Sequence, residues 1–350
     1  MSSSPHASRI GARLPGIEAF RFIAIGAVIL AHALPDLPHD NAALVLFRDL
    51  ARCTVPFFFM VSGYFLPRHQ PTATVALASF RRLAPLYFGW MAAYSLLWLA
   101  IEAHDGLTAA DLRTLMEMVL SPGLTGGPAV HLWFLPALWI GIVAVLLFRH
   151  DLRLMALAAA VSFLLGLVLG GYSEALGLPR SPIWVARSGP LMGAPFVALG
   201  YLLARTGFDM RPGPAALVMT GGYLLFVVEQ YLLSAGYTRW IFEDFLLGSA
   251  PFALGVFILA RRCSGPVASR IAPLGRLTLW IYCVHLAFLY IAAELMHITP
   301  ESGLAPRLAL TLLVLAASTL SGLLAERIRA ARAKPAPEPE PARGSGVEPG

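Results

Sequence analysis

Hydrophobic residues run along this chain in long blocks, and charges, prolines and glycines mark where each block stops. A bilayer core about 30 Å thick takes roughly 20 apolar residues per helix. On that measure the pattern predicts ten membrane-spanning helices, near residues 16–34, 46–66, 83–102, 131–148, 153–171, 189–204, 214–234, 242–260, 277–297 and 306–325. The second is the least regular. Arg48, Asp49 and Arg52 precede its apolar part and Pro56 interrupts it, so it is expected to begin as an interfacial or broken helix. The expected fold class is all-α, a polytopic helical bundle in a membrane.

Basic residues orient that bundle. With the N-terminus inside and ten crossings, 19 of the 26 Lys and Arg residues fall inside, and only Arg48, Arg52, Arg113, Arg180, Arg187, Arg239 and Arg307 fall outside. This positive-inside bias puts both termini in the cytoplasm. The expected organisation is a cytoplasmic segment over 1–15, one transmembrane domain over 16–330, and a tail over 331–350 too rich in Pro and Glu to bury a core, hence disordered. The largest outer connection, 103–130, carries Asp105, Asp111 and Glu117 before the turn cluster SPGLTGGPAVH, and reads as a short amphipathic element and a loop.

Composition agrees with a membrane class: 57% of residues are hydrophobic and 13% charged, where soluble domains carry about 25%. A net charge of +6 could suit a nucleic-acid binder, but the basic residues lie in short clusters between apolar runs, so no nucleic-acid partner is expected. Cys53, Cys263 and Cys283 have no metal-ligand spacing, and no metal site is expected. Arg9, Arg13 and the first apolar run ending in Ala31-His32-Ala33 mimic a signal peptide, yet Glu18 and Arg21 sit against the hydrophobic segment, which favours a retained first helix.

The chemistry-bearing residues are few. Arg21 and His32 lie eleven positions apart, about three turns plus 20° and a rise of about 16 Å, so they share one helical face at two depths. Glu18, three residues before Arg21, can pair with it. Taken alone, Arg21 could be a topological anchor and His32 an interfacial residue. In RCTVPFFFMVSGYFLPR, Ser62-Gly63 permits close helix packing or an unwound segment, and Arg52 could hold a substrate or a lipid phosphate. Arg81 and Arg82 precede Pro85 at the inner entrance of the third span, suited to phosphate or anionic lipid. HLWFLPALW, with His131, Trp133 and Trp139, reads as an aromatic belt at the outer interface. Tyr282 and His285 in LTLWIYCVHLAFLY share a face deep in a span, where a histidine is a functional candidate. Glu229 and Glu294 lie in apolar segments and would pair with inward-facing cations.

In this order, Arg21 with His32, VPFFFMVSGYFL, the Arg-rich approach to Pro85 and Tyr87, HLWFL and LWIYCVH resemble the integral membrane proteins of acyltransferase family 3 over about residues 15–325. The resemblance implies acyl transfer, most often of acetyl, from cytoplasmic acetyl-CoA to a hydroxyl of a cell-envelope saccharide or related glycoside, in the bacterial inner membrane. It implies the lipid bilayer, acyl-CoA and a saccharide acceptor as partners, with no permanently bound cofactor. Arg21 and His32 match the family's essential Arg-x10-His pair. Arg82 matches the second arginine of an Arg-x-x-Arg motif linked to acyl-CoA handling, while Ser79 stands in place of the first and Arg81 is its expected substitute. Some relatives append a soluble SGNH hydrolase-like domain; this sequence implies a single component, or one with a separate partner.

The mechanism expected from these residues has Arg81, Arg82 and Arg21 holding the donor's phosphates and His32 acting as general base or as covalent acyl carrier. His285 and Tyr282 position the donor or stabilise an oxyanion, and Arg52, Glu18, Ser62 and Trp133 complete the substrate-contacting set. The competing reading is a secondary transporter that uses intramembrane His and Glu as coupling groups, although no internal repeat relates the two halves.

Overall fold

Pro15 at the first helical position, Glu18 in the first turn and His32 in the last suit a helix dipole, and helix α1 runs Pro15–Ala33 between them. The computed structural model describes residues 14–34, 46, 48–104, 106–120, 127–179, 181–234, 243, 245–299 and 302–332. Residues 1–13 of the N-terminal segment expected over 1–15, and the tail beyond Arg332, lie outside the described residues. A 3₁₀ turn (Ala51–Cys53) leads into α2 (Thr54–Tyr64), followed by α3 (Thr72–His104) and α4 (Ala109–Val119). A second 3₁₀ turn (Val130–Trp133) leads into α5 (Phe134–Phe148), and then come α6 (Leu152–Leu169), a single turn at Ile183–Ala186, a π turn (Gly189–Gly193) and α7 (Ala194–Thr206). The chain ends in α8 (Pro212–Ser234), α9 (Ser249–Arg262), α10 (Pro266–Ile271), a 3₁₀ segment (Ala272–Leu277), α11 (Thr278–Leu295) and α12 (Leu304–Arg332). Every regular element among the described residues is helical. α4 is the amphipathic element expected in the 103–130 connection, opened by a capping box between Thr108 and Asp111.

Among the described residues seven helical stretches, not ten, are long and apolar enough to cross a membrane: Pro15–Ala33, Thr72–Ala103, Val130–Phe148, Leu152–Leu169, Pro212–Ser234, Pro266–Leu295 and Leu304–Arg332. The protein is therefore a multi-pass membrane protein, and three expected spans are corrected. In the span expected at 46–66, α2 has 11 residues, about 16 Å of rise. Pro56 does not interrupt it but sits in its first turn, where a backbone N–H has no helical partner anyway. At 189–204 the helix is split by the π turn, and in the 242–260 region α9 has 14 residues. All three pack inside the bundle: α2 lies against α7 and α9, while α3, α6 and α8 expose Leu96, Leu157 and Leu217 outward. A helix walled by protein is under no pressure to match the thickness of lipid. Such a segment is apolar because it is core.

Close approach makes the interior dense. A Cβ on Gly63 would lie 1.9 Å from the Val197 carbonyl oxygen, and one on Gly200 would lie 1.9 Å from that of Met60. The two glycines thus let the α2 and α7 backbones touch, the packing that Ser62-Gly63 suggested.

The two ends of the bundle are also defined. At one end Gly275 lies against Glu18, and Arg276 pairs with Glu326 near the end of α12. At the other, the Arg307 guanidinium donates to Ala33 O, Thr299 O and Ser302 O, each at 2.8 Å. The start of α1 and the finish of α12 therefore share one end of the bundle.

Candidate active site

α1 carries its two marked residues to different cavities. Arg21 lines a cavity of about 380 Å³ that Ser62, Ser79, Arg82, Phe134 and Tyr282 also line. Its Nη1 donates to both carboxylate oxygens of Glu18 at 3.1 Å, the pairing their spacing suggested. Eleven residues on, His32 lines a second cavity of about 180 Å³ together with Arg48, Arg52, His131, Trp133 and Arg187. Arg187 lies 5.7 Å over the Trp133 ring, within cation–π range. The helical arithmetic holds: one face, two depths, and each depth opens into its own space.

α3 corrects the placement of the paired arginines. It begins at Thr72, so Arg81 and Arg82 sit in the body of a 33-residue helix rather than at the entrance to a span. Successive helical residues diverge by about 100°. Arg82 and Ser79, three apart, reach the larger cavity, whereas Arg81 is exposed and does not line it. The structure thus brings Arg21, Arg82, Ser62, Ser79 and Tyr282 together and leaves Arg81 out.

Three imidazoles cluster beside the smaller cavity, and two of them, His32 and His131, line it. The His32 ring centroid lies 5.4 Å from that of His285 and 6.5 Å from that of His131, and His131 and His285 are 4.9 Å apart. His285 is fully buried and His131 is 3% exposed. The interfacial placement of His131 expected from its tryptophan neighbours is therefore corrected. The Val130–Trp133 turn folds inward and buries the ring against Tyr94, 5.5 Å away, and Tyr282, 5.2 Å away. Tyr282, on the wall of the larger cavity, donates its hydroxyl hydrogen to the His131 carbonyl and so binds α11 to that turn.

Tyr94 grips α11 where it carries His285. The Tyr94 hydroxyl donates to Cys283 O at 2.9 Å and accepts from Ala287 N at 3.1 Å, the two members of one helical hydrogen-bond step. His285 Nδ1 lies 2.7 Å from Tyr282 O and 3.2 Å from Ile281 O. Carbonyls only accept, so Nδ1 carries the hydrogen and Nε2 the lone pair. Tyr94 gave no signal in sequence: a tyrosine in an apolar run reads as bulk. The two intramembrane glutamates are likewise revised. Glu229 accepts from the Tyr172 hydroxyl and, at 2.9 Å, from Gly248 N, while Glu294 is exposed.

The described residues thus form an all-helical membrane bundle in which two buried imidazoles, His131 and His285, cluster with a third, His32, at the wall of an arginine-lined cavity. The chain belongs to acyltransferase family 3: the family model, described as an acyltransferase domain, matches residues 14–326. The chain is also similar to an amino-acid racemase of Enterococcus faecalis, 31% identical over 160 residues, which are 45% of this chain and 22% of the relative. To a serine/alanine racemase of Enterococcus gallinarum it is 27% identical over 290 residues, 77% of this chain and 40% of the relative. The matches span less than half the length of these curated relatives. No solved structure matches the chain.

Proposed function

We propose that the protein is a membrane-bound O-acyltransferase that moves an acyl group, acetyl foremost, from cytoplasmic acyl-CoA to a hydroxyl of a cell-envelope saccharide or related glycoside. The observation that carries this reading is the cluster of His32, His131 and His285 at the smaller cavity, on the same α1 face as the Arg21 that lines the larger one. In this reading the larger cavity, at the Glu18 end, faces the cytoplasm of an inner-membrane protein with both termini inside. Arg21 and Arg82 hold the phosphates of the donor, and the acyl-pantetheine arm passes Ser62 toward Tyr282. Ser79 at the wall takes the place given to Arg81 in the sequence reading. The smaller cavity receives the acceptor, with Arg52 and Trp133 as contacts and its hydroxyl against His32. His32 takes the hydroxyl proton as that oxygen attacks the thioester carbon; the C–O bond forms, the C–S bond breaks, and the proton ends on the departing CoA sulfur. Covalent carriage of the acyl group on His32 is the variant to be separated by a chase experiment.

The test is transfer from labelled acetyl-CoA by purified protein in proteoliposomes, with glycoside acceptors in the lumen. Acceptor-dependent CoA release is expected, and CoA release that ignores the acceptor, or solute uptake without it, would replace the enzyme with a carrier. His32→Ala is expected to cut turnover by at least about 100-fold with the detergent-purified protein still monodisperse. Full turnover in that variant sinks the base assignment. Labelled acetyl retained on the protein after acceptor is withheld, and lost in His32→Ala, marks the covalent route.

A further inference from the structure

An acyl transfer needs a base for the incoming hydroxyl and a donor for the thioester oxygen as it gains negative charge. The second requirement singles out one residue. Tyr282 is adjacent to the cluster, but its hydroxyl hydrogen is committed to the His131 carbonyl. The hydrogen on His285 Nδ1 is committed to the carbonyls of Tyr282 and Ile281, and a neutral ring then presents only a lone pair at Nε2. Tyr94 spends its hydroxyl hydrogen on Cys283 O. His131 is the remaining buried ring of the cluster, and neither of its ring nitrogens makes a hydrogen bond of good geometry among the described residues, although the Cys283 and Tyr282 backbone lies close.

That orphan pair is unusual in a residue only 3% exposed. A neutral imidazole always carries one N–H, and burying an N–H without an acceptor costs desolvation with no return. The ring lines the acceptor-side cavity and packs edge-on to Tyr282, which lines the donor-side cavity. His285 Nε2, also without a partner among the described residues, belongs to the ring 4.9 Å away. One uncommitted donor and one uncommitted acceptor therefore stand together where the two substrates would meet.

We propose that His131 is a catalytic residue, the N–H donor that receives the thioester oxygen as the acceptor hydroxyl attacks. The assignment rests on the acyl-transfer reading above. His285 is the neighbouring positioning residue: with Nδ1–H tied to the backbone, its Nε2 keeps a lone pair that can take the N–H of His32, whose ring lies 5.4 Å away, once substrates bind, turning the other His32 nitrogen toward the acceptor. The hydroxyl proton then resides on His32 until CoA leaves as a thiolate and takes it, so His131 keeps its own hydrogen through the cycle.

The experiment compares wild type, His131→Leu and His131→Gln in the reconstituted transfer assay over a range of pH. His131→Leu removes the donor and is expected to lower kcat about 10²- to 10³-fold, with the KM values for acyl-CoA and acceptor within about threefold. His131→Gln restores an N–H and is expected to recover at least about tenfold of that loss, with the acidic limb of the pH profile where wild type has it. An inactive wild type would refute the acyltransferase reading itself. An active wild type with kcat unchanged in His131→Leu would overturn the donor role alone. So would a His131→Gln enzyme whose acidic limb has vanished, because His131 would then be the titrating base. If His131→Leu does not fold, the Gln variant still decides: no recovery above the background of His32→Ala rejects the proposal.

Discussion

Arg307 shows how much one side chain can organise. Only 2% exposed, it donates to three carbonyls, and one of them, Ala33 O, closes the C-terminal end of α1 next to His32. A cation at a helix C-terminus also meets the negative end of the dipole. Arg307→Leu should destabilise the protein by about 4.5 kcal/mol or more, since hydrogen bonds from a charged donor contribute about 1.5–3 kcal/mol each and three acceptors lose theirs. Thermal unfolding in detergent would show this as a lower midpoint, with turnover falling alongside as His32 loses its anchor; an unshifted midpoint would contradict it. From sequence, Arg307 was one more outer charge. Arg21 and His32 were legible because both lie on one unbroken helix, whose pitch converts spacing into position. His131, Tyr94 and Arg307 were not, because their meaning comes from partners on other helices, at separations of 151, 189 and 274 residues for the bonds that place them.

Between helices, small residues decide how close the backbones come. Gly63→Val would drive side-chain atoms into the Val197 carbonyl, a backbone group that cannot swing away. The cost should exceed about 4 kcal/mol, and monodisperse protein should be lost on size-exclusion chromatography. Gly89→Ala, on the open face of α3 with nothing within 4 Å, should instead stabilise by about 0.5–1 kcal/mol. The same interior explains why seven long helices were legible and three were misjudged. Hydropathy counts apolar residues, but lipid-facing and protein-enclosed segments are equally apolar. What separates α2, α7 and α9 from the long helices is continuity, broken by a 3₁₀ turn before α2, a π turn before α7 and a late start at Ser249 in α9. The π turn itself lies between Ser188 and Ala194, where Pro190 and the flanking glycines signal a break without specifying its form.

Across the molecule, the end that holds Glu18 and Glu326 also holds a charged latch, in which Asp209, after α7, pairs with Arg261 and Arg262 at the end of α9. Partial burial pushes the Asp209 carboxyl up, and the hydrogen bonds and charge of Arg262 and Arg261 outweigh it, leaving it below the ordinary carboxylate range. A depressed folded-state value makes the latch fully stabilising above the unfolded-state pKa, near 3.9, and progressively lost as pH falls below it. Thermal midpoints of wild type and Asp209→Asn should therefore differ most above about pH 5 and converge below about pH 3. A gap that widens in acid would contradict the latch.

The partition between the cavities has a kinetic consequence. On the proposed function, donor and acceptor occupy separate cavities whose walls are tied together by the Tyr282–His131 bond, so neither would have to leave before the other could enter. With direct transfer, initial-rate plots at several fixed acceptor levels should intersect rather than run parallel. Desulfo-CoA, a dead-end mimic of the spent donor, should compete with acyl-CoA yet lower the maximal velocity when acceptor is varied. On that proposal the protein can stay charged with donor in one cavity while it waits for an acceptor to enter the other.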